Sequence, residues 1–429
     1  AGRCGLGAVM GSKRLKAVVA APGSKAPRRV YDVWALNAST REVARALPGH
    51  SEALGKFGTQ GVLGRLYGVG DVPVKNWLLG AADLDVQSMS GQRMAETGRL
   101  KKKFFCTMCP IGCGRVVELS DGELGGGPEY ETLSLLGTNC MVDDLEAVIL
   151  GNEQANRLGI DTISAGSAIA FLMEAYEKGQ VDTKLLNGLV PSWGDGKAMV
   201  RLIELIGARE GIGAILGDGV ARASAVFGSP EYAIHVKGLE LPAHDPRAHN
   251  SMALSYATAN RGACHLQGMS YNYERKLTMP EQGFDSPQDR FGTERKTELV
   301  IATQNYMGLM DSLKLCKFSI GGGSSATRAL EWLNLATGWN MDIDEFFKAG
   351  ERIFNAKRVY NATRGVSRKD DSLPGRIRFQ PKGGGAGENL PPGLEESLEE
   401  YYRLRGWSMD GIPTEEKVAE LDCGIPGKR

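Results

Sequence analysis

Three thiols, Cys106, Cys109 and Cys113, stand in the eight-residue run Cys-Thr-Met-Cys-Pro-Ile-Gly-Cys, and Gly114 follows directly. Gaps of two and three residues let a short loop curl until three sulfurs converge on one cuboidal iron–sulfur cluster. Gly112 and Gly114 permit backbone turns closed to other residues. A fourth thiolate is then expected from elsewhere. A zinc knuckle, or three separately buried cysteines, would use the same residues. Zinc would want a second close Cys/His pair, and the chain has none. The order of the gaps also differs from the three-then-two spacing of radical enzymes that use S-adenosylmethionine.

A second concentration of chemistry runs from Asp245-Pro246-Arg247 to Tyr256 and on to Cys264-His265, gathering carboxylate, guanidinium, amide, thiol and imidazole within 21 residues. Three of the five histidines, His244, His249 and His265, fall in this stretch or directly before it, and imidazole exchanges protons near neutral pH. Taken singly, each histidine also has a plainer reading as a loop or core residue with satisfied hydrogen bonds. Farther on, Asp311 precedes Cys316 by five residues, and Lys317 follows it. A cation beside the thiol favours the thiolate, making Cys316 the candidate fourth ligand. Asp311 in the same turn offers acceptors to a heterocycle's amino groups. The glycine-rich opening, Gly2 to Lys13, reads as a turn or as a cradle for phosphate on backbone N–H groups.

The elements that must position these residues fit a chain of 429 residues, too long for one core and suited to two or three domains. Lysine plus arginine equals aspartate plus glutamate at 51 each, which leaves no global field for nucleic acid or an anionic membrane. No run approaches 18 apolar residues, and no secretory leader pattern is visible. Eight cysteines, three of them in one loop, favour a reducing compartment, with cytoplasm the expectation. Glycine, at 57 residues, is about twice its average share and clusters at turns, as in loops that approach a ligand closely.

Leu15 to Ala20 reads as a strand, Pro22 to Arg29 as a linker, residues 31 to 60 as helical, Gly58 to Pro73 as loop and Arg115 to Leu119 as a short strand. Helical spacing recurs at 143 to 158, 166 to 178, 197 to 207, 219 to 227, 325 to 336, 343 to 355 and 393 to 405, with a strand at 233 to 240. From Asp370 onward the polar, glycine- and proline-rich chain is expected to wrap a surface.

Together these residues resemble the tungsten-dependent aldehyde ferredoxin oxidoreductases. The likeness includes the Gly2-Arg3 loop, the cysteine loop, Gly127-Pro128-Glu129-Tyr130-Glu131-Thr132, Gly159-Ile160-Asp161-Thr162-Ile163-Ser164, Tyr256 to His265, Asp311 to Phe318, Ser367 to Pro374 and Tyr401 to Trp407. The resemblance implies a mainly α, multidomain protein with two largely helical domains and most of an N-terminal α+β domain absent. Residues 1–27 would be a remnant of that pterin-binding domain, with helical domains at 28–235 and 236–429.

It further implies a tungsten, or molybdenum, bis-pterin centre beside one 4Fe-4S cluster. Cys106, Cys109, Cys113 and Cys316 would hold the cluster, Glu131 and His265 would form the acid–base pair, and Arg3, Gly5, Asn156, Gly159, Asp161, Asp311 and Leu315 would contact pterin. Residues 156–161 and 311–316 resemble the family's Asp-x-x-Gly-Leu-Asp and Asp-x-x-Gly-Leu-Cys motifs, with Asn156, Ile160 and Lys314 as departures. Gln267 stands where relatives often carry a basic residue. The expected partners are an aldehyde substrate, ferredoxin or an iron–sulfur partner subunit, and a second copy or a larger complex. Two other readings are aromatic-ring reduction of the benzoyl-CoA type at a similar centre and a non-catalytic iron–sulfur carrier. No Glu-x-x-His occurs, so an intersubunit mononuclear iron is not expected.

Overall fold

The computed structural model describes residues 3–19, 21, 29–383 and 388–424. Where apolar residues recur at helical spacing, helices form: Leu145–Leu158, Thr162–Glu177, Gly196–Ala208, Val220–Phe227, Ala326–Thr337, Ile343–Ala362 and Leu394–Arg405. Five of them open on a capping side chain. Asp144, Asp161, Asp195, Ser325 and Asp342 accept backbone N–H groups of the Leu145, Thr162, Gly196, Ala326 and Ile343 helices, each worth about 1 kcal/mol. Val33–His50 and Glu52–Phe57 divide the stretch expected to be helical from 31 to 60.

Two apolar clusters organise these helices. One joins residues between Leu63 and Ala243, including Met89, Leu135, Phe171 and Ile203. The other joins Trp77 to residues between Ile234 and Trp407. The helix Lys296–Ser312 runs through the second, with 13 of its 17 residues buried. It packs along Ile343–Ala362 so closely that a Cβ on Gly350 would lie 2.5 Å from the Asn305 carbonyl oxygen. A helix buried on all sides has no polar stripe and no period to read, and the helices Lys296–Ser312 and Ser251–Thr258 escape the pattern for that reason.

The strands Leu100–Phe104, Gly114–Glu118 and Leu124–Gly126 form an antiparallel sheet in which Phe104 pairs with Gly114. The cysteine loop is therefore the connection of a hairpin. A second hairpin pairs His235–Val236 with Leu239–Glu240 across Lys237 and Gly238, both at positive φ, as a tight two-residue turn demands.

Four expectations are corrected. Leu15 to Val19 pair with no strand among the described residues, and Ala20 lies outside them. A strand needs a neighbour to take its hydrogen bonds. The glycine-rich opening is a helical turn, Arg3–Gly5, followed by a helix, Leu6–Ser12, because Gly5 at φ 71° can turn the chain between them. Residues 58 to 73 contain the helical turns Thr59–Val62 and Leu63–Gly68, which bury Leu63 and Leu66. The charged tail does not merely wrap a surface. Arg376 donates to both carboxylate oxygens of buried Glu174 (2.8 and 2.6 Å), and Lys382 donates to Asp245 Oδ2 (2.7 Å) with its side chain fully buried. Such charges go inside only where a carboxylate waits. Residues 22–28 of the expected linker lie outside the described residues.

Among the described residues no single helix is long and apolar enough to cross a membrane. Leu145–Leu158 and Thr162–Glu177 reach the length only together, across a bend of 118°.

Candidate functional site

Within the hairpin loop, Gly112 adopts φ 64°, and a Cβ there would come within 2.3 Å of the Phe105 ring. Cys109 and Cys113 pack against Val43, Leu47 and Ile111, while Cys106 is exposed. Cys316 heads the turn Lys317–Gly322, where the N–H groups of Phe318 and Ser319 favour its thiolate. Burial nevertheless raises it, and burial, Glu129 and the other three thiols push Cys113 up to about 11. The four sulfurs therefore act on one another electrostatically. No three of them meet within 4.8 Å among the described residues, whereas zinc bonds of about 2.3 Å would hold them under about 4 Å apart. The wider set suits a polynuclear cluster, whose cationic irons would offset the thiolates' repulsion. Cys140, Cys264 and Cys423 are buried core residues.

Cys113 and Cys316 line a cavity of about 1120 Å³, and Glu131, His244 and His265 line it too. Glu131 lies in the short turn Tyr130–Thr132, just after the third strand. Its Oε2 accepts from the Ala243 N–H at 2.7 Å. Its Oε1 lacks a well-aligned partner and stands 3.5 Å from His265 Nε2 and 3.9 Å from His244 Nε2. The hydroxyls of Tyr130 and Tyr256 donate to the carbonyls of Ala243 and His244 (2.5 and 2.9 Å), fixing the segment that presents these groups.

Burial raises the Glu131 pKa above the ordinary carboxylate value, outweighing the opposing pull of His244, the Ala243 N–H and Arg3. Burial, then His244, Arg3, Arg261 and Lys317, hold His265 well below the ordinary imidazole value, so it is neutral. Burial alone would raise Asp71, but His244 and His249 overcome it and keep the carboxylate ionised. Asp71 Oδ2 lies 2.8 Å from His244 Nδ1. That contact orients the His244 ring with Nε2 toward Glu131. His244 also stacks on Tyr271 at 4.0 Å. Sequence reasoning singled out His265 but left His244 among the plain histidines. Its contact with Asp71, far away in the chain, was not visible there.

The remaining expected residues divide. Asn156 and Asp161 line the cavity. Asp161 is also occupied as a helix cap and by Arg3 Nε at 3.2 Å, while Arg3 donates to the Glu240 carbonyl at 2.7 Å. Gly159, at φ 70°, terminates the preceding helix. Gly5 begins the Leu6–Ser12 helix. Asp311 and Leu315 are not among the lining residues. Asp311 is half exposed and bonded to Lys317 at 2.7 Å, and Leu315 packs on the second core. Gln267 accepts from the Arg261 N–H at 3.4 Å.

Lys314 sits at φ 61°, the left-handed conformation that glycine adopts freely, so the departure changes the residue without changing the path. Lys314→Gly is expected to stabilise the protein by about 0.5–1 kcal/mol in thermal unfolding. A loss of stability would show that the lysine side chain contributes more than its backbone strain costs.

The Asp245-Pro246-Arg247 segment is structural at its centre. Asp245 Oδ1 accepts from Arg247 N and Nε (2.8 and 3.0 Å), and Arg247 reaches the carbonyls of Trp77 and Gln380, both at 2.9 Å.

A buried acid–base group and two thiols, Cys113 and Cys316, face one cavity on a helical scaffold, an arrangement suited to an oxidoreductase. Residues 35–423 match the family described as aldehyde ferredoxin oxidoreductase, domains 2 and 3, and the chain belongs to that family. The tungsten-containing aldehyde ferredoxin oxidoreductase of Pyrococcus furiosus is 39% identical over 98% of this chain and 69% of its own length. That of Thermococcus kodakarensis is 36% identical with the same coverage. The fold is also that of the active-site complex BamBC of benzoyl coenzyme A reductase, solved with 1,5-dienoyl-CoA. The TM-score is 0.79 at 22% identity, over 98% of this chain and 69% of that one.

Proposed function

We propose that the protein oxidises aldehydes to carboxylic acids at a bis-pterin-held tungsten and passes electrons singly through a 4Fe-4S cluster to ferredoxin or an iron–sulfur partner subunit. The observation that carries this reading is one cavity lined both by the Glu131–His265 pair and by Cys113 and Cys316. Cys106, Cys109, Cys113 and Cys316 would hold the cluster. Asn156 and Asp161 offer acceptors on the cavity wall for pterin N–H groups, with Arg3 held against Asp161. Asp311 would contribute from the exposed turn where it bonds Lys317, Leu315 from the second core, and Gly5 and Gly159 by setting backbone turns. When bound, tungsten or molybdenum would supply the two-electron acceptor.

The protein's own groups handle the oxygen and the protons. His265, held neutral, lines the cavity beside Glu131 and would hydrogen-bond the substrate carbonyl. Glu131, whose raised pKa makes it a stronger base than an ordinary carboxylate, takes a proton from the attacking water. Unpaired thiols suit a reducing compartment, the cytoplasm, and the protein would act there as a homodimer or within a larger complex.

Metal analysis of anaerobically purified protein tests the reading together with aldehyde-dependent reduction of ferredoxin. About four irons and one tungsten per chain, with reduction, is the expected result. Iron without tungsten would support an electron carrier instead. Co-purification with further iron–sulfur subunits, without aldehyde oxidation, would point to ring reduction.

A further inference from the structure

Behind the cavity wall the ionisable groups continue past His244. Asp71 Oδ2, which faces His244 Nδ1, also stands 3.9 Å from His249 Nε2. On the other edge of that ring, His249 Nδ1 stands 3.3 Å from Glu274 Oε2. Glu274 Oε1 accepts from the Lys296 ammonium, which also donates to the Asp289 carbonyl at 2.6 Å. Asp71 and Glu274 are fully buried, and the His249 and Lys296 side chains are 1% and 8% exposed. Asp289 is exposed, so the series ends at the surface. None of Asp71, His249, Glu274 and Lys296 lines the cavity.

A purely structural role explains this poorly. Neither ring nitrogen of His249 has a well-aligned hydrogen bond, nor does Glu274 Oε2. Buried polar atoms left so cost about 1–3 kcal/mol each, a cost that a close-packed apolar residue would avoid. Carboxylate and imidazole alternate, which places a proton donor next to an acceptor at every link. The 3.9 Å gaps close to hydrogen-bond length with side-chain movement of about 1 Å. Arg275 and Arg65 act on Asp71 from the cavity side, so the charged groups around this link are not only its two histidines.

We propose that these groups form a proton exit route, carrying protons from the Glu131–His265 pair through His244, Asp71, His249 and Glu274 to buried Lys296, whose ammonium first releases a proton to solvent beside the exposed Asp289. The proposal rests on the aldehyde-oxidation reading. Each turnover converts an aldehyde and water into a carboxylic acid, two protons and two electrons. The electrons pass to a one-electron iron–sulfur acceptor, which takes no proton. The protons need their own path while substrate fills the cavity, and each relay step moves one proton between neighbouring heteroatoms.

The test uses the metal-loaded protein with two variants, His249→Gln at the middle and Lys296→Met at the outer end. Both are expected to lower kcat about 10- to 100-fold with KM for the aldehyde unchanged and with a larger solvent deuterium isotope effect. Small amines in the buffer should partly restore Lys296→Met but not His249→Gln, because only the former leaves a gap next to the exposed Asp289. Folded variants with parental kcat and isotope effect would overturn the route. So would a fall in kcat with neither isotope effect nor amine rescue, which marks a structural role.

Aldehyde turnover by the parent protein is the separate control for the underlying reading. Independently of any substrate, the His249 imidazole N–H should exchange with solvent quickly for so buried a group in nitrogen-15 spectra. Lys296→Met should slow that exchange about tenfold or more. Slow exchange in the parent protein would overturn the proposal.

Discussion

Glu131→Gln is expected to lower aldehyde turnover by about a thousandfold while leaving iron and tungsten content at the parental level. The amide keeps the shape, and its oxygen can still accept from the Ala243 N–H now bonded to Oε2. It cannot take a proton from water. Because Glu131 is no metal ligand in this reading, loss of turnover with full metal content separates a proton-handling role from a failure to assemble the site. His265→Asn should fall to a similar extent, since Asn cannot reproduce an imidazole that lines the cavity with Nε2 3.5 Å from Glu131. The two losses should not multiply in the double variant, because groups acting as a unit are not additive. Near-parental turnover in both single variants would remove Glu131 and His265 from the mechanism.

The second large effect is on stability. Asp245→Asn should destabilise the protein by about 3–5 kcal/mol, read from chemical unfolding. Asp245 Oδ2 accepts from Arg247 Nη2 (2.9 Å) and Lys382 Nζ (2.7 Å), and all three side chains are fully buried. A neutral amide would leave two buried cations facing each other with no carboxylate bonded to either. Burial alone would raise the Asp245 pKa, but Arg247 and Lys382 more than reverse it, so the folded value lies below the ordinary one. The sign of the linkage follows. Its contribution is present above the unfolded value near about pH 4 and is lost as pH falls through the folded value. As a contrast, Glu395→Gln removes the exposed partner of Arg368 and Arg378 and should cost less than about 1 kcal/mol. Equal effects in the two variants would show that the buried charges contribute no more than surface ones.

Legibility in the sequence followed the range of the physics involved. Cys106, Cys109 and Cys113 were readable as sharing one loop because their spacing in the chain is local, and the hairpin that carries them is equally local. The amphipathic helices were readable because one face of each meets water. Lys296–Ser312 was not, since burial on every side erases the period. The tail from Asp370 read as a surface wrap because its composition is polar. Lys382 and Arg376 lie inside only because Asp245 and Glu174 are there to receive them.

By itself, then, the sequence determined the grouping of three thiols in one loop and the helical character of the chain, while its resemblance pointed to Glu131 and His265, which the structure places 3.5 Å apart. Which histidine stands third in that group, what keeps Asp71 ionised and which charges are buried were decided by tertiary structure alone. The reason is physical. Ligand spacing and helix periodicity depend on residues a few positions apart, whereas the protonation state of a buried group depends on whichever charges folding brings within a few ångströms of it.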